Sequence, residues 1–141
     1  MRVLGIDVGE RRVGLAISDT SATLARPLAT LVVRGAADAI DRVADAIARL
    51  EAEEDGLDAI VVGRPSRLDG SPTTATAGVA AFIDALKGRT SLAITTADER
   101  LTSREAESRL AVTRRDWRKR KQQLDAAAAA IILQDYLDRE R

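Results

Sequence analysis

Histidine and cysteine are both missing from this chain of 141 residues, and each absence removes a class of chemistry. Without cysteine there is no disulfide, no thiolate zinc site and no thiol nucleophile. Without histidine there is no Ser-His-Asp triad, no HExxH metal site and no imidazole acid–base catalysis. Aromatic residues are scarce, with one Phe, one Tyr and one Trp, so the core must be built from Ala, Val, Ile and Leu. Neither sign of charge prevails: 22 Lys and Arg stand against 22 Asp and Glu. Affinity for a polyanion would therefore have to come from a local patch. Apolar runs stay well below the ~20 residues of a membrane span, and the opening MRVLGID is charged at once, unlike a signal peptide. The expectation is a cytoplasmic protein with no membrane partner. Any catalysis must use carboxylates, amines, hydroxyls or a metal held by oxygen.

The length suits one domain over residues 1–141. At that size roughly 68–70% of the unfolded chain's surface can be buried, enough for a core without staples. Residues 2–8 read as a first strand, and Gly9-Glu10-Arg11 as a tight connection. Val13, Leu15 and Ile17 alternate with Gly14, Ala16 and Ser18, the period of a half-buried antiparallel partner. A third strand is expected over Leu28–Val33, after Pro27, at a sheet edge. Ile40, Val43, Ile47 and Leu50 recur at helical spacing within 36–55. Leu57–Gly63 reads as a buried parallel strand, and Ser71-Pro72 as the start of a helix. A last strand over 91–97, a short helix from the capping box Thr102-x-x-Glu105, and an alanine-rich helix over Leu124–Leu137 complete the chain. Three meandering strands followed by βα units predict an α/β fold, a mixed five-stranded sheet flanked by helices.

Three acids stand out by context. Asp7 lies among Val3, Leu4, Ile6 and Val8, where an uncompensated carboxylate would cost several kcal/mol. Glu99 directly follows the last strand, and Asp125 precedes the apolar run AAAAAIIL. In a parallel βα arrangement the carboxyl ends of the strands meet at one rim. If the last helix crosses that rim, the three acids converge, and a divalent cation relieves their repulsion. With only oxygen donors, Mg²⁺ or Mn²⁺ suits such a site, and a pair of ions suits phosphodiester hydrolysis. Each acid also has a structural reading. Asp7 could cap the turn at Gly9, Glu99 could be a solvated partner of Arg100, and Asp125 could be the N-cap of the alanine-rich helix.

Two basic segments are candidates for nucleic acid. Arg114, Arg115, Trp117, Arg118, Lys119, Arg120 and Lys121 carry six positive charges around Asp116 and could neutralise phosphates, with Trp117 stacking on an unpaired base. The alternative is a solvated charge run, and the lack of apolar periodicity predicts a flexible tract in front of the last helix. The loop Gly63–Ser71 offers Arg64, Arg67 and free amides at the helix beginning near Pro72. An ordinary turn explains its Asp69-Gly70 equally well.

GIDVGERRVGLAISD, VVGRPSRLDGS, DERLTSREAE and QLDAAAAAIILQDYL occur in the order and spacing of the YqgF/RuvX family, which the chain resembles over essentially its whole length. Members of that family are described as Holliday junction resolvases or as pre-16S rRNA nucleases. The resemblance implies a ribonuclease-H-like fold and an acidic, metal-binding site at Asp7, Glu99 and Asp125. Arg12 corresponds to the family's basic residue after the first strand, and Asp69-Gly70 to its loop motif. Arg64, Ser66 and Arg67 depart from the leucine- and asparagine-containing loop of many members. The same fold serves kinase and chaperone ATPases, which need two such domains to enclose a nucleotide. Three functions follow as expectations: a nuclease processing the 5′ end of pre-16S rRNA, a resolvase of branched DNA acting as a homodimer, and a non-catalytic RNA-binding factor.

Overall fold

The computed structural model describes residues 1–64, 74–98 and 117–140, with side chains from 78 and from 125 onward in the last two segments. The alternating segment at the start of the chain forms β1 (Val3–Val8) and β2 (Arg12–Ser18), paired antiparallel. Their turn closes through the Gly9 N–H, which donates to the Arg12 carbonyl at 2.8 Å. β3 (Ala25–Val32) returns along β2, and α1 (Ala36–Ala52) follows. Then come β4 (Ala59–Arg64), α2 (Thr74–Lys87), β5 (Ala93–Asp98) and α3 (Trp117–Arg139). The sheet order is β3-β2-β1-β4-β5, with β1, β4 and β5 parallel. This is the mixed five-stranded α/β sheet that the strand pattern predicts.

Several boundaries differ from expectation, among them β5, which spans Ala93–Asp98 rather than 91–97. β3 starts at Ala25 rather than Leu28 and runs through Pro27. Its register shifts so that Leu15 faces Ala29 while Ala16 faces Pro27, leaving Leu28 as an extra residue. An edge strand with a bulge tolerates a proline, because no second neighbour needs its missing N–H. α1 stops at Ala52, short of residue 55, ahead of Gly56 in the left-handed region at φ 65°. β4 begins at Ala59 rather than Leu57, the Asp58 side chain accepting the Arg2 amide at 2.9 Å. The last helix begins at Trp117, not Leu124, so Trp117–Lys121 lie within it. Arg, Lys and Gln are good helix formers, and helix formation there needs no apolar stripe. The expected helix starts at Ser71-Pro72 and at Thr102 lie outside the described residues.

Strand alternation sends the two sides of the sheet into separate clusters. On one side Leu4, Ile6, Leu15, Ile17, Ile60 and Val62 pack against Ile40, Val43 and Ile47 of α1 and Phe82 and Leu86 of α2. On the other, Val3, Ala16 and Val61 meet Ala129, Ile132, Leu133 and Leu137 of α3. The buried Arg2 ties the first core together at the bottom of the sheet. Its Nε donates to the Gly56 carbonyl at 2.7 Å, and Nη2 lies 3.0 Å from Glu53 Oε1.

Candidate active site

Asp7 is the second-last residue of β1 and shares the α3 side of the sheet with Gly5 and Val3, two and four positions earlier. It is half-buried and pairs across the sheet with Gly14 of β2, which in turn pairs with Thr30 of β3. Directly opposed antiparallel residues lie about 4.5–5.5 Å apart at Cα. The row therefore reads carboxylate, glycine, hydroxyl on a single side.

Gly14 is where α3 touches down. A Cβ added there would lie 2.1 Å from the Asp125 carbonyl oxygen and 3.1 Å from the Ala126 nitrogen. At Gly5, further down β1, a Cβ would lie 2.8 Å from Leu133 Cβ and 3.1 Å from the Ala129 carbonyl oxygen. The helix thus runs antiparallel to β1 with its backbone pressed into two glycine positions. Only hydrogen at these positions allows that approach. The effect is to set Asp125 over the strand residue beside Asp7. Asp125 is half-buried, with its Oδ2 removed from solvent.

The structure thus brings two of the three sequence-predicted acids together. It also excludes one alternative for Asp125, which lies well inside α3 and cannot be its N-cap. The third acid, Glu99, lies outside the described residues. β5 ends at Asp98, with Ala97 packed on the α3 side and Asp98 alternating to the opposite one. Among the described residues no three metal-ligating side chains form a group.

The proposed basic residues divide the same way. Arg12 shares the side of Gly14 and Ala16 at the start of β2, and its Nε is buried with no acceptor among the described residues. Arg64 is exposed at the carboxyl end of β4. Trp117, Arg118, Lys119, Arg120 and Lys121 form the first turns of the helix that carries Asp125. Arg67, Asp69-Gly70, Arg114 and Arg115 lie outside the described residues. Sequence reasoning missed Gly14, whose role would show only as a glycine in an otherwise apolar alternation.

The family model for RuvX, described as Holliday junction resolvase, matches residues 1–139. The chain belongs to the RuvX family. A relative from Chloroflexus aggregans (strain MD-66 / DSM 9485), bearing the name "Putative pre-16S rRNA nuclease", is 44% identical over 139 residues, covering 99% of this chain and 94% of its own. One from Anaeromyxobacter dehalogenans (strain 2CP-C), with the same name, is 37% identical over 99% of this chain and 98% of its own. Among solved structures, T. thermophilus RuvC in complex with Holliday junction substrate superposes with a TM-score of 0.54 at 16% identity, over 99% of this RuvX chain and 96% of that one. The fowlpox virus Holliday junction resolvase gives 0.53 at 14% identity, with both chains fully covered. These structures share the ribonuclease-H-like fold expected for a RuvX protein. Among the described residues, no helix is long and apolar enough to cross a membrane.

Proposed function

We propose that this RuvX protein is a metal-dependent nuclease that hydrolyses phosphodiester bonds, with precursor 16S rRNA as its substrate in the cytoplasm. The supporting observation is the seating of Asp125 on Gly14, beside Asp7. Two carboxylates drawn into a half-buried corner repel each other, and a hard dication offsets that repulsion. The donor set is all oxygen, which fits Mg²⁺ or Mn²⁺ and no softer ion. Asp7, Asp125 and Glu99 would hold the metal, Glu99 being the residue that follows Asp98 at the end of β5. A divalent ion there supplies charge neutralisation at the scissile phosphate and eases the ionisation of water.

The chain's own residues do the rest. Asp7 sits in the central strand, which is paired with a neighbour on each side, so its backbone is fixed before substrate arrives. Arg12, with its buried Nε, and Arg64 at the end of β4 lie at the same rim and stabilise negative charge on the strand. Arg67, Arg114, Arg115, Trp117, Arg118, Lys119, Arg120 and Lys121 are proposed to hold the flanking nucleotides.

Branched DNA is the second reading, supported by the description of the family model. It requires a homodimer, because two opposed strands must be cut together. Purified protein incubated with precursor rRNA fragments and with four-way DNA junctions, with and without Mn²⁺, separates the two. Defined rRNA products dependent on metal support the first reading. Paired cuts in the junction support the second. Binding without cleavage of either leaves an RNA-binding factor and ends the nuclease reading.

A further inference from the structure

A depression of about 480 Å³ lies at the same rim as Asp7, displaced toward the β3 edge. Its walls come from two places: the β1–β2 turn with Glu10, Arg11 and Arg12, and the β3–α1 connection with Val32, Val33, Arg34 and Gly35. The two walls are locked together by the Val33 N–H, which donates to the Arg11 carbonyl at 2.9 Å. Three arginines and one glutamate therefore line one depression, in a chain whose net charge is zero. Arg12 contributes a buried Nε with no acceptor among the described residues. An arginine donor withdrawn from water without an acceptor is costly, and an anion within its reach removes that cost.

The floor adds donors of a second kind. Gly35 stands at the N-cap of α1 with φ 130°, and no side chain caps the helix there. The first amides of a 17-residue helix thus open beside the arginines. Asp38 in that first turn accepts the Arg34 amide and is ion-paired with Arg42, so its carboxylate already has partners of its own. Along β2, Arg12 is two residues from Gly14, about 7 Å from the seat of Asp125.

We propose that this depression is a phosphate subsite for the nucleic-acid backbone, with Arg11, Arg34 and the amides of α1 as its ligands. It holds the phosphodiester next along the strand from the one at Asp7, on the β3 side of the site. The assignment of the ligand as a nucleic-acid strand rests on the nuclease reading; the anion site itself does not.

The test pairs two measurements on the full chain. In the first, a labelled single-stranded RNA is titrated onto Asp7→Asn protein, with and without the added pair Arg11→Gln and Arg34→Gln, across a range of salt. Both arginines are exposed, so the pair leaves the core untouched. The expected result is weaker binding and a log–log salt slope shallower by about 1.4, roughly 0.7 for each lost contact on a single strand. Arg49→Gln with Lys87→Gln, in the last turns of α1 and α2 away from the depression, controls for overall charge and is expected to leave the slope unchanged. In the second, inorganic phosphate is titrated while the amide resonances of Gly35, Ala36 and Ala37 are followed. Saturable shifts, abolished by the Arg11→Gln and Arg34→Gln pair, are expected. Slopes equal in the pair and the control overturn the strand assignment, and absent amide shifts overturn the anion site. Amide shifts in a protein that neither binds nor cuts RNA would keep the site and sink the nuclease reading instead.

Discussion

The two sides of the sheet are built on opposite principles. Under α1 and α2 the strands present Leu4, Ile6, Leu15, Ile17 and Ile60, large aliphatic chains with almost no exposure. Under α3, beside Val3 and Val61 packed on Ile132, Leu133 and Leu137, they present Gly5, Gly14 and Ala16 where the helix comes closest, around Asp125, Ala126 and Ala129. Large side chains remove more apolar surface from water per residue, at about 25 cal/mol per Å². Small ones give up part of that gain and let backbones come close. The first side is a source of stability; the second is a means of placing Asp125 beside Asp7.

That contrast predicts a separation between activity and stability. Asp7→Asn, on the α3 side, is expected to lower cleavage by about a thousandfold or more, since it removes a metal ligand worth several kcal/mol in the transition state. The same change should leave Tm unaltered or raised without metal, because one of two repelling charges is gone. A variant that cleaves at the normal rate would remove Asp7 from the site. Leu4→Ala, on the α1 side, should do the reverse. Leu4 is wholly buried, and its truncation is expected to cost about 2–5 kcal/mol in denaturant unfolding. Activity per folded molecule should survive, since Leu4 faces away from the carboxylates.

Gly14→Ala tests whether the close approach is what matters. Its Cβ would lie 2.1 Å from the Asp125 carbonyl oxygen, so α3 must lift. Overpacking of this kind costs about 1–3 kcal/mol. The discriminating readout is the rise in Tm on adding Mn²⁺, expected to vanish in Gly14→Ala and to persist in Leu4→Ala. Equal metal responses in the two variants would make Gly14 an ordinary packing position.

The first side was more legible in the sequence than the second, and for a physical reason. Burial of Ile40, Val43, Ile47 and Leu50 follows from helical spacing, and alternation in β2 announces its own orientation. Asp7 was conspicuous as a charge among aliphatics. Asp125 also stood out, but an aspartate ahead of an alanine run reads equally as a cap. Only the helical continuation back to Trp117 places it mid-helix. Gly14 and Asp125 are far apart in the chain, and contact between two backbones leaves no mark in residue type beyond the glycine itself. Arg11 and Arg34 were likewise silent, since each is an isolated arginine until the Val33–Arg11 hydrogen bond joins their segments. Pro27 misled in the other direction, marking the interior of an edge strand rather than its start.

At its far end α3 is held by hydrogen bonds rather than glycines. Gln134 Nε2 donates to the Thr23 carbonyl at 2.9 Å, and its Oε1 accepts the Ala25 N–H at 2.9 Å. Gln134→Ala leaves both backbone groups without that partner and is expected to cost about 1–2 kcal/mol by urea unfolding. Cleavage should be nearly unchanged, because Asp125 is seated at the other end of the helix. A large loss of activity would mean that the two ends of α3 do not act separately.

The smallest effect belongs to the loop that Gln134 grips. Asp19 Oδ1 accepts the Thr23 and Leu24 amides at 2.8 and 3.0 Å, and Oδ2 accepts the Ser21 hydroxyl at 2.5 Å. The Ser21 hydroxyl first, then the Leu24 and Thr23 amides, lower its pKa from 3.8 to about 2. Because the folded value lies below the unfolded one, folding favours the ionised form. Its contribution is complete above the ordinary carboxylate range, shrinks as pH falls from 3.8 toward 2, and is gone below that. Asp19 is fully exposed, so water screens the interaction and the effect on unfolding should be slight. The sensitive measurement is local: amide exchange at Thr23 and Leu24 should accelerate over that window relative to Asp19→Asn, while amides of β1 stay protected. A carboxyl resonance titrating at the ordinary value would show that the loop does not hold Asp19 this way.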